Sequence, residues 1–348
     1  MKFFDKLTDI YEHLADEQSK DFFRAKALTA ISGDKKYFCE FRDNMIENQI
    51  ILAKKDIEIK NLNNAYIFGC GDSSSFAFRL YGKNIVAFSD NNKKRWGGKH
   101  FKLPIIPPTE IPKTSKVIVS PRSKIAYTDI KNQLLSFGFN EKNICIFSKI
   151  CEKIYGKEYF GIDDLIQNLK PNNEEIFVDA GCFDGGTSLE FIDFAKGDLK
   201  KIYAFEPDPI SFKNCEKNLS EFIQNQKYEV YNYALNDKNE TVHFLNKATP
   251  GSRIDKDGIL IKSVALDDIL KDEKVTFIKM DIEGGEYNAL IGAKNIIAKN
   301  HPKLAICIYH KPEDIFELPN LILEIDSTYK FYIRHYSATD VSSVLYAI

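Results

Sequence analysis

The sequence predicts an α/β protein made of two Rossmann-like, doubly wound domains behind a helical N-terminal segment. Three observations carry this. Ile176-Phe177-Val178 is a short apolar run followed by a glycine turn and a helix start, through Asp179, Gly181, Gly185 and Thr187. The same strand–turn–helix pattern occurs earlier, where Ala65 to Phe68 leads into Gly69-Cys70-Gly71-Asp72-Ser73. Before both, Phe3, Phe4, Leu7, Ile10, Tyr11 and Leu14 recur at helical spacing. A length of 348 residues suits two domains.

Composition narrows the function classes. A 44% hydrophobic and 28% charged chain is ordinary for a globular protein. The formal charge of −2 balances 48 basic against 50 acidic residues, with no long basic block, so a nucleic-acid partner is not expected. Seven cysteines without a C-x-x-C pair suit reduced thiols and a cytoplasmic location. The charged first residues make no signal peptide, and no apolar run approaches a membrane span.

The expected organisation is a helical segment over 1–60, a Rossmann-like domain over 61–150, a linker over 151–175 and a second domain over 176–348. In the first segment, an amphipathic run from Glu17 to Ile31 ends at Ser32-Gly33-Asp34. It reads as a packing element or a homo-oligomer contact. The next domain has strands at 65–68, 85–88, 117–119 and 144–147 and a helix over 125–137. Asp90 lies 21 positions after Gly69, the spacing of a nucleotide-binding βαβ unit. Gly69 and Gly71, followed by Asp72 and Ser73, could hold a phosphate at the helix N-terminus, with Asp90 opposite. A βαβ unit with no ligand fits the same residues. The run Asp90-Asn91-Asn92-Lys93-Lys94-Arg95-Trp96-Gly97 resembles the small nucleotide-sugar-binding modules attached to sugar-modifying enzymes.

Pro171-Asn172-Asn173 marks the boundary to the second domain. There Ile176 to Val178 reads as a parallel strand covered on both faces. Gly181 and Gly185 allow a tight turn or a close ligand, and Thr187 and Ser188 are N-cap candidates for the helix. Ile202 to Phe205 is the next strand, and Glu206 at its tip can accept hydrogen bonds from ribose hydroxyls, whether of NAD or of S-adenosylmethionine (SAM). The turn lacks the G-x-G-x-x-G spacing of a pyrophosphate cradle. Asp179 suits the ammonium and sulfonium charges of SAM better than two phosphates. Helix follows from Pro209 to Ile223, a third strand from Tyr228 to Tyr233, a strand from Thr241 to Leu245 and a loop at Thr249-Pro250-Gly251-Ser252. A short helix begins near Leu266. Phe277 to Met280 then delivers Asp281 and Glu283 to the same sheet edge, and Leu304 to Tyr309 delivers His310. Phe331 to Tyr336 and Val344 to Ala347 close the sheet, bringing His335 and Tyr336 to a strand end.

Taken together, Val178-Asp179-Ala180-Gly181, Phe205-Glu206-Pro207, Ala234-Leu235-Asn236-Asp237, Leu266-Asp267-Asp268, Lys279-Met280-Asp281-Ile282-Glu283-Gly284-Gly285-Glu286 and Tyr309-His310-Lys311 resemble the FkbM family of SAM-dependent O-methyltransferases. Gly285 stands where that family usually has alanine. The resemblance covers about half the chain. It implies a class I SAM methyltransferase sheet with a terminal antiparallel strand, and methyl transfer to a hydroxyl of a sugar, surface glycan or secondary metabolite. It further implies that SAM lies against Gly181, Cys182, Phe183 and Gly185 beside Thr187 and Ser188. Asp179 would face its cationic end, Glu206-Pro207 its ribose and Asp237 its adenine. Asp281, Glu283 and His310 are the catalytic candidates, with His310 suited to be a base near neutral pH. A divalent metal on Asp281, Glu283 and His310 is the rival arrangement. Glu286 is expected to favour the following helix N-terminus. A dinucleotide-dependent sugar oxidoreductase, or a nucleotide-sugar-binding protein with a degenerate methyltransferase site, are the competing functions.

Overall fold

The computed structural model describes residues 3–53, 62–160, 171, 174–225, 227–245, 253–254 and 258–348. The loop expected at Thr249 to Ser252, and Asn172 and Asn173 of the boundary, lie outside them. Helices α1 (Phe3–His13), α2 (Glu17–Ser32) and α3 (Lys36–Ala53) open the chain. Asp16 caps α2 by accepting the Ser19 N–H, and Gly33, at φ 70°, ends it. Two compact units follow from the contacts: Met1–Phe41, Tyr159–His335 and Val341–Ile348 form the larger, and Arg42–Glu158 with Tyr336–Asp340 the smaller.

The smaller unit holds β1 (Ala65–Phe68), α4 (Asp72–Tyr81), β2 (Ile85–Ser89), β3 (Lys99–His100), β4 (Leu103–Ile106), β5 (Val117–Val119), α5 (Lys124–Ser136), β6 (Ile144–Ile146) and α6 (Phe147–Tyr155). Its sheet runs β3-β4-β2-β1-β5-β6, parallel except for β3. Strand order therefore reverses at β1, the place where open α/β sheets take ligands. Phe147, expected to end a strand, instead starts α6, which runs into the expected linker. The reason is periodic burial of Phe147, Ile150, Cys151, Ile154 and Tyr155.

In the larger unit come β7 (Glu175–Ala180), α7 (Gly186–Ala195), β8 (Leu199–Phe205), α8 (Pro209–Asn218), α9 (Ser220–Gln224), β9 (Tyr228–Tyr231), β10 (Ala234–Leu235), β11 (Glu240–Leu245), β12 (Arg253–Ile254) and β13 (Ile259–Val264). Then follow α10 (Leu266–Ile269), β14 (Phe277–Met280), α11 (Glu286–Ile291), α12 (Lys294–Asn300), β15 (Lys303–Cys307), α13 (Asp314–Ile325), β16 (Phe331–His335) and β17 (Ser343–Ala347). The main sheet reads β9-β8-β7-β14-β15-β17-β16, and only β17 runs antiparallel to its neighbours. This is a doubly wound, Rossmann-like sheet with the terminal antiparallel strand that was expected. The third strand stops at Tyr231 rather than Tyr233. Asn232 there turns to donate to the Glu206 and Pro207 carbonyls, and Ala234–Leu235 joins a separate sheet, β10-β13-β11-β12.

The first two helices pack within this larger unit. Asp16 pairs with Arg334 at 2.6 Å, the Ile333 N–H donates to Ser19, and Phe22 and Phe38 pack against His335. His335 is accordingly a buried packing residue, bonded to Ser343. No described helix is long and apolar enough to cross a membrane. On the other face of β7, Phe177 stacks on Phe191 with ring centres 3.9 Å apart, and both are fully buried. Phe191→Ala is expected to destabilise the fold by about 3–5 kcal/mol. Urea melts read by tryptophan-independent circular dichroism check this, and an unchanged midpoint would contradict it.

Candidate active site

Everything at the site starts from the end of β7. Asp179 and Lys279 stand directly opposite one another in the β7–β14 register. Their side chains are buried, and the Lys279 ammonium donates to Asp179 at 3.1 Å, to the Ala180 carbonyl at 3.1 Å and to the Gly181 carbonyl at 2.8 Å. Burial alone would pull the Lys279 pKa down, but Asp179 and Asp281 outweigh it and hold the amine well above its usual range. The second Asp179 oxygen accepts from Ser188 at 2.7 Å. The Asp179 charge, expected opposite a cofactor's cationic end, is thus compensated by Lys279 inside the protein.

After Ala180 the chain turns at Gly181, where φ is 76°. A Cβ there would collide with the Asp281 carbonyl oxygen, so the approach of the two strand-end turns by itself requires glycine. Gly185, at φ 85°, likewise has Leu219 where a Cβ would stand. Helix α7 begins at Gly186, whose N–H bonds the Asp184 carboxylate. Thr187 and Ser188 thus lie inside the first turn and do not cap it, and Ser188 serves Asp179 instead. Cys182 is buried, its sulfur 3.4 Å from Cys215.

Glu206 ends β8 and latches this turn. One carboxylate oxygen accepts the Phe183 N–H at 2.9 Å and the other the Asp208 N–H at 2.8 Å. Burial raises its pKa to about 7, against the pull of those two N–H groups. Pro207 follows it, and Asp208 caps α8. Asp237 is exposed on the turn after β10, on the small sheet.

Asp281 follows β14, and its N–H bonds the Ala180 carbonyl at 3.1 Å. Tyr159 and Tyr309 donate to its two oxygens at 3.0 and 3.1 Å, and His310 Nε2 lies 3.3 Å away. Glu283, in a left-handed conformation at φ 55°, comes within 3.7 Å of the same nitrogen. His310 Nδ1 faces buried Glu286 at 3.0 Å, and Glu286 accepts the Ile282 N–H. The three catalytic candidates therefore do meet. Burial pulls the His310 pKa down, yet Asp281 and Glu286 prevail and raise it to about 10. That corrects the expectation of a base titrating near neutrality: at neutral pH His310 is an imidazolium among carboxylates. Among the described residues, the set with ligand atoms within 4.8 Å of one another is Asp281, Glu286 and His310, so Glu286 replaces Glu283 in the expected metal set.

Sequence reasoning passed over Lys279, Tyr159 and Tyr309, and gave Glu286 only a helix role. Lys279 carried a readable signal, because a lysine inside Phe-Ile-Lys-Met needs a buried partner. Tyr159 had none.

In the smaller unit, Phe68, Gly69, Cys70, Gly71, Asp90, Asn91, Asn92, Arg95, Pro121 and Ile130 line a cavity of about 260 Å³. Gly69, Gly71 and Asp90 are thus all among its lining residues. Asp72 and Ser73 open α4, and the buried hydroxyl is that of Ser74, which donates to the Gly71 carbonyl.

The larger unit therefore has the sheet, the glycine turn and the strand-end acids of a Rossmann-like methyltransferase. Residues 179–332 match the family model described as the methyltransferase FkbM domain. A curated relative, the 2-O-methyltransferase NoeI of Sinorhizobium fredii (strain NBRC 101917 / NGR234), is 23% identical over 159 residues. That alignment spans 38% of this chain and 63% of the relative. Among solved structures, the methyltransferase FkbM of Methylobacillus flagellatus KT is 19% identical with a TM-score of 0.46, over 95% of this chain and 99% of that one. Fibrillarin of Aeropyrum pernix, solved with natively bound SAM, is 11% identical with a TM-score of 0.31, over 51% of this chain and 67% of that one.

Two outcomes follow from the buried charges. Lys279→Met leaves Asp179 buried without its partner and should cost about 3–5 kcal/mol in urea melts. A loss under about 1 kcal/mol would show that Asp179 finds water or a proton instead. His310 has a folded pKa of about 10, above the ordinary 6.5, so its contribution is fully present below about pH 6.5 and lost as pH rises toward 10. Stability should therefore fall across that window in the wild type and fall less in His310→Gln.

Proposed function

We propose that this chain is an O-methyltransferase that uses SAM to methylate a hydroxyl of a sugar or glycan precursor. The observation that carries the reading is the convergence of the Gly181 turn, Glu206 and Asp281 at the ends of the adjacent strands β8, β7 and β14. The FkbM-domain match and the relative named a 2-O-methyltransferase support the reaction class, and that relative's name supports an oxygen acceptor.

SAM supplies an electrophilic methyl group beside a cationic sulfur. The residues present fit such a group, because Asp281, Glu283 and Glu286 against one imidazolium leave negative charge in excess, with Asp281 26% and Glu283 30% exposed. The backbone of Gly181, Cys182, Phe183 and Gly185 would carry the cofactor, with Thr187 beside it. Glu206 would take the ribose hydroxyls, and Pro207 and Asp237 would flank the adenosine. Asp281 is the group best placed to take the acceptor hydroxyl. Burial pulls its carboxyl up, but His310 and Lys279 hold it well below the usual range, so it stays an acceptor at every working pH. His310 is then a positioning residue that fixes Asp281 through Nε2. Holding the acceptor oxygen in line supplies much of such a reaction. Free thiols at all described cysteines accord with a reducing compartment.

The decisive measurement is transfer of labelled methyl from SAM to a panel of monosaccharides and oligosaccharides, with S-adenosylhomocysteine (SAH) binding by calorimetry alongside. Glu206→Ala should weaken SAH binding by about 1.5–3 kcal/mol. Wild-type affinity should fall as pH drops below about 7, where Glu206 takes up a proton, and the slope should vanish in the variant. Affinity untouched by both changes would remove Glu206 from the site. If His310 only positions Asp281, kcat/KM has no rising limb near pH 10, whereas a base with the raised pKa of this histidine would produce one. Turnover surviving exhaustive chelation would exclude a metal on Asp281, Glu286 and His310; loss restored by Mg or Mn would establish it.

A further inference from the structure

The acid-to-turn latch of the larger unit occurs a second time, in the smaller one. Asp90 follows β2 as Glu206 follows β8. Its Oδ2 accepts the Cys70 N–H of the turn after β1 at 3.0 Å, and its Oδ1 accepts the N–H two residues on, from Asn92, at 2.8 Å. The corresponding distances at Glu206 are 2.9 and 2.8 Å. Both acids tie the glycine turn of a sheet's central strand to the end of the next strand.

At Asp90 this arrangement opens onto the cavity of about 260 Å³, which lies where the sheet's strand order reverses. Two kinds of group line it. Phe68, Pro121 and Ile130 give an apolar wall, and Asp90 and Arg95 a charged one. The Arg95 guanidinium is 44% exposed. It spends one N–H on the Cys70 carbonyl at 2.7 Å and lies 3.6 Å from Asp90. A guanidinium has five N–H donors, so most remain for an anion, and a carboxylate accepting two backbone N–H groups keeps lone pairs for hydroxyls. The ten-residue helix α4 starts from the same turn, with Gly71 at its N-cap and no side chain capping it; of its first N–H groups, that of Ser74 donates to the Gly71 carbonyl at 3.0 Å, so the donors a phosphate would meet are those ahead of Ser74.

We infer that this cavity is a second nucleoside-type site, separate from the methyl-transfer centre, and takes the ribose and phosphates of a nucleoside diphosphate. Asp90 receives the ribose hydroxyls, while Arg95 and the start of α4 receive the phosphates. The volume falls just under the ~300–1,000 Å³ of small-molecule sites, so the ribose and a phosphate sit inside and the remainder extends outward. Asp90 leaves room for hydroxyl donors but repels a bare anion, which selects a ribose phosphate over free phosphate.

The test is calorimetry on the full chain with UDP, ADP, uridine and pyrophosphate, each with and without saturating SAH. UDP or ADP should bind at one site that SAH does not block, and uridine and pyrophosphate should each bind at least tenfold more weakly. Arg95→Gln changes an exposed side chain and should weaken UDP or ADP at least tenfold while leaving SAH affinity as in the wild type. Asp90→Asn should weaken them as well; if it unfolds, the Arg95 variant decides alone. The inference is overturned if no probe saturates below about 1 mM while SAH binds. It is equally overturned if SAH displaces the probes, if pyrophosphate binds as tightly as UDP, or if Arg95→Gln binds like the wild type. SAH affinity reports on the larger unit, so failure here leaves the methyl-transfer reading standing, and the reverse also holds.

Discussion

The pair Asp179–Lys279 is the constraint on which the larger unit depends. It joins two adjacent strands of the main sheet, and the ammonium also holds the last carbonyl of β7 and that of Gly181 in the turn. A buried ion pair is weak evidence for net stability, since apolar residues of like volume often do as well. Its effect here is on register. Sliding β14 by one residue would point the ammonium to the opposite face and leave Asp179 uncompensated, so the pair disfavours every register but one. With register set, the Asp281 carbonyl meets Gly181, and the acid itself falls beside the turn.

Two sheets in one chain share this local solution. Around their central strands the orders are the same, β4-β2-β1-β5-β6 in one and β9-β8-β7-β14-β15 in the other. In each, an acid at the tip of the second strand accepts an N–H from the first turn. The units differ in what surrounds that latch. Around Glu206 the neighbouring strand ends supply further carboxylates, which suits a cationic group. Around Asp90 the cavity has a guanidinium instead, which suits an anion.

Much of this was legible in the sequence, for physical reasons that can be named. Apolar runs such as Phe277-Ile-Lys-Met and Leu304 to Cys307 suit strands covered on both faces, and acids directly after parallel strands fall on one edge of the sheet. Hence the placing of Glu206, Asp281, Glu283 and His310 at strand ends could be read without coordinates. What failed was the state of those groups. Asp179 looks like a free carboxylate until the strand pairing sets Lys279 opposite it, and His310 looks like a neutral base until Glu286 is seen behind it. Pairing across strands is non-local, so spacing along the chain does not report it. The small sheet was lost for a similar reason: Ala234–Leu235 are apolar enough to continue β9, and only the turn made by Asn232 diverts them. Helix α6 was hidden by its short length beside a strand.

The helices that open the chain rest on strands that close it. Asp16 meets Arg334 across 318 positions of sequence, and Leu14 bridges to Phe331. On a ribosome adding about 5–20 residues per second, α1 and α2 therefore wait on the order of 15–60 s for β16 to exist. During that interval the apolar faces of Ile10, Phe22 and Phe23 have no sheet to cover them, whereas nearly all of the smaller unit has emerged. Synthesis thus delivers most of one unit inside the unfinished span of the other, and the opening helices wait longest of all for the strand they rest on.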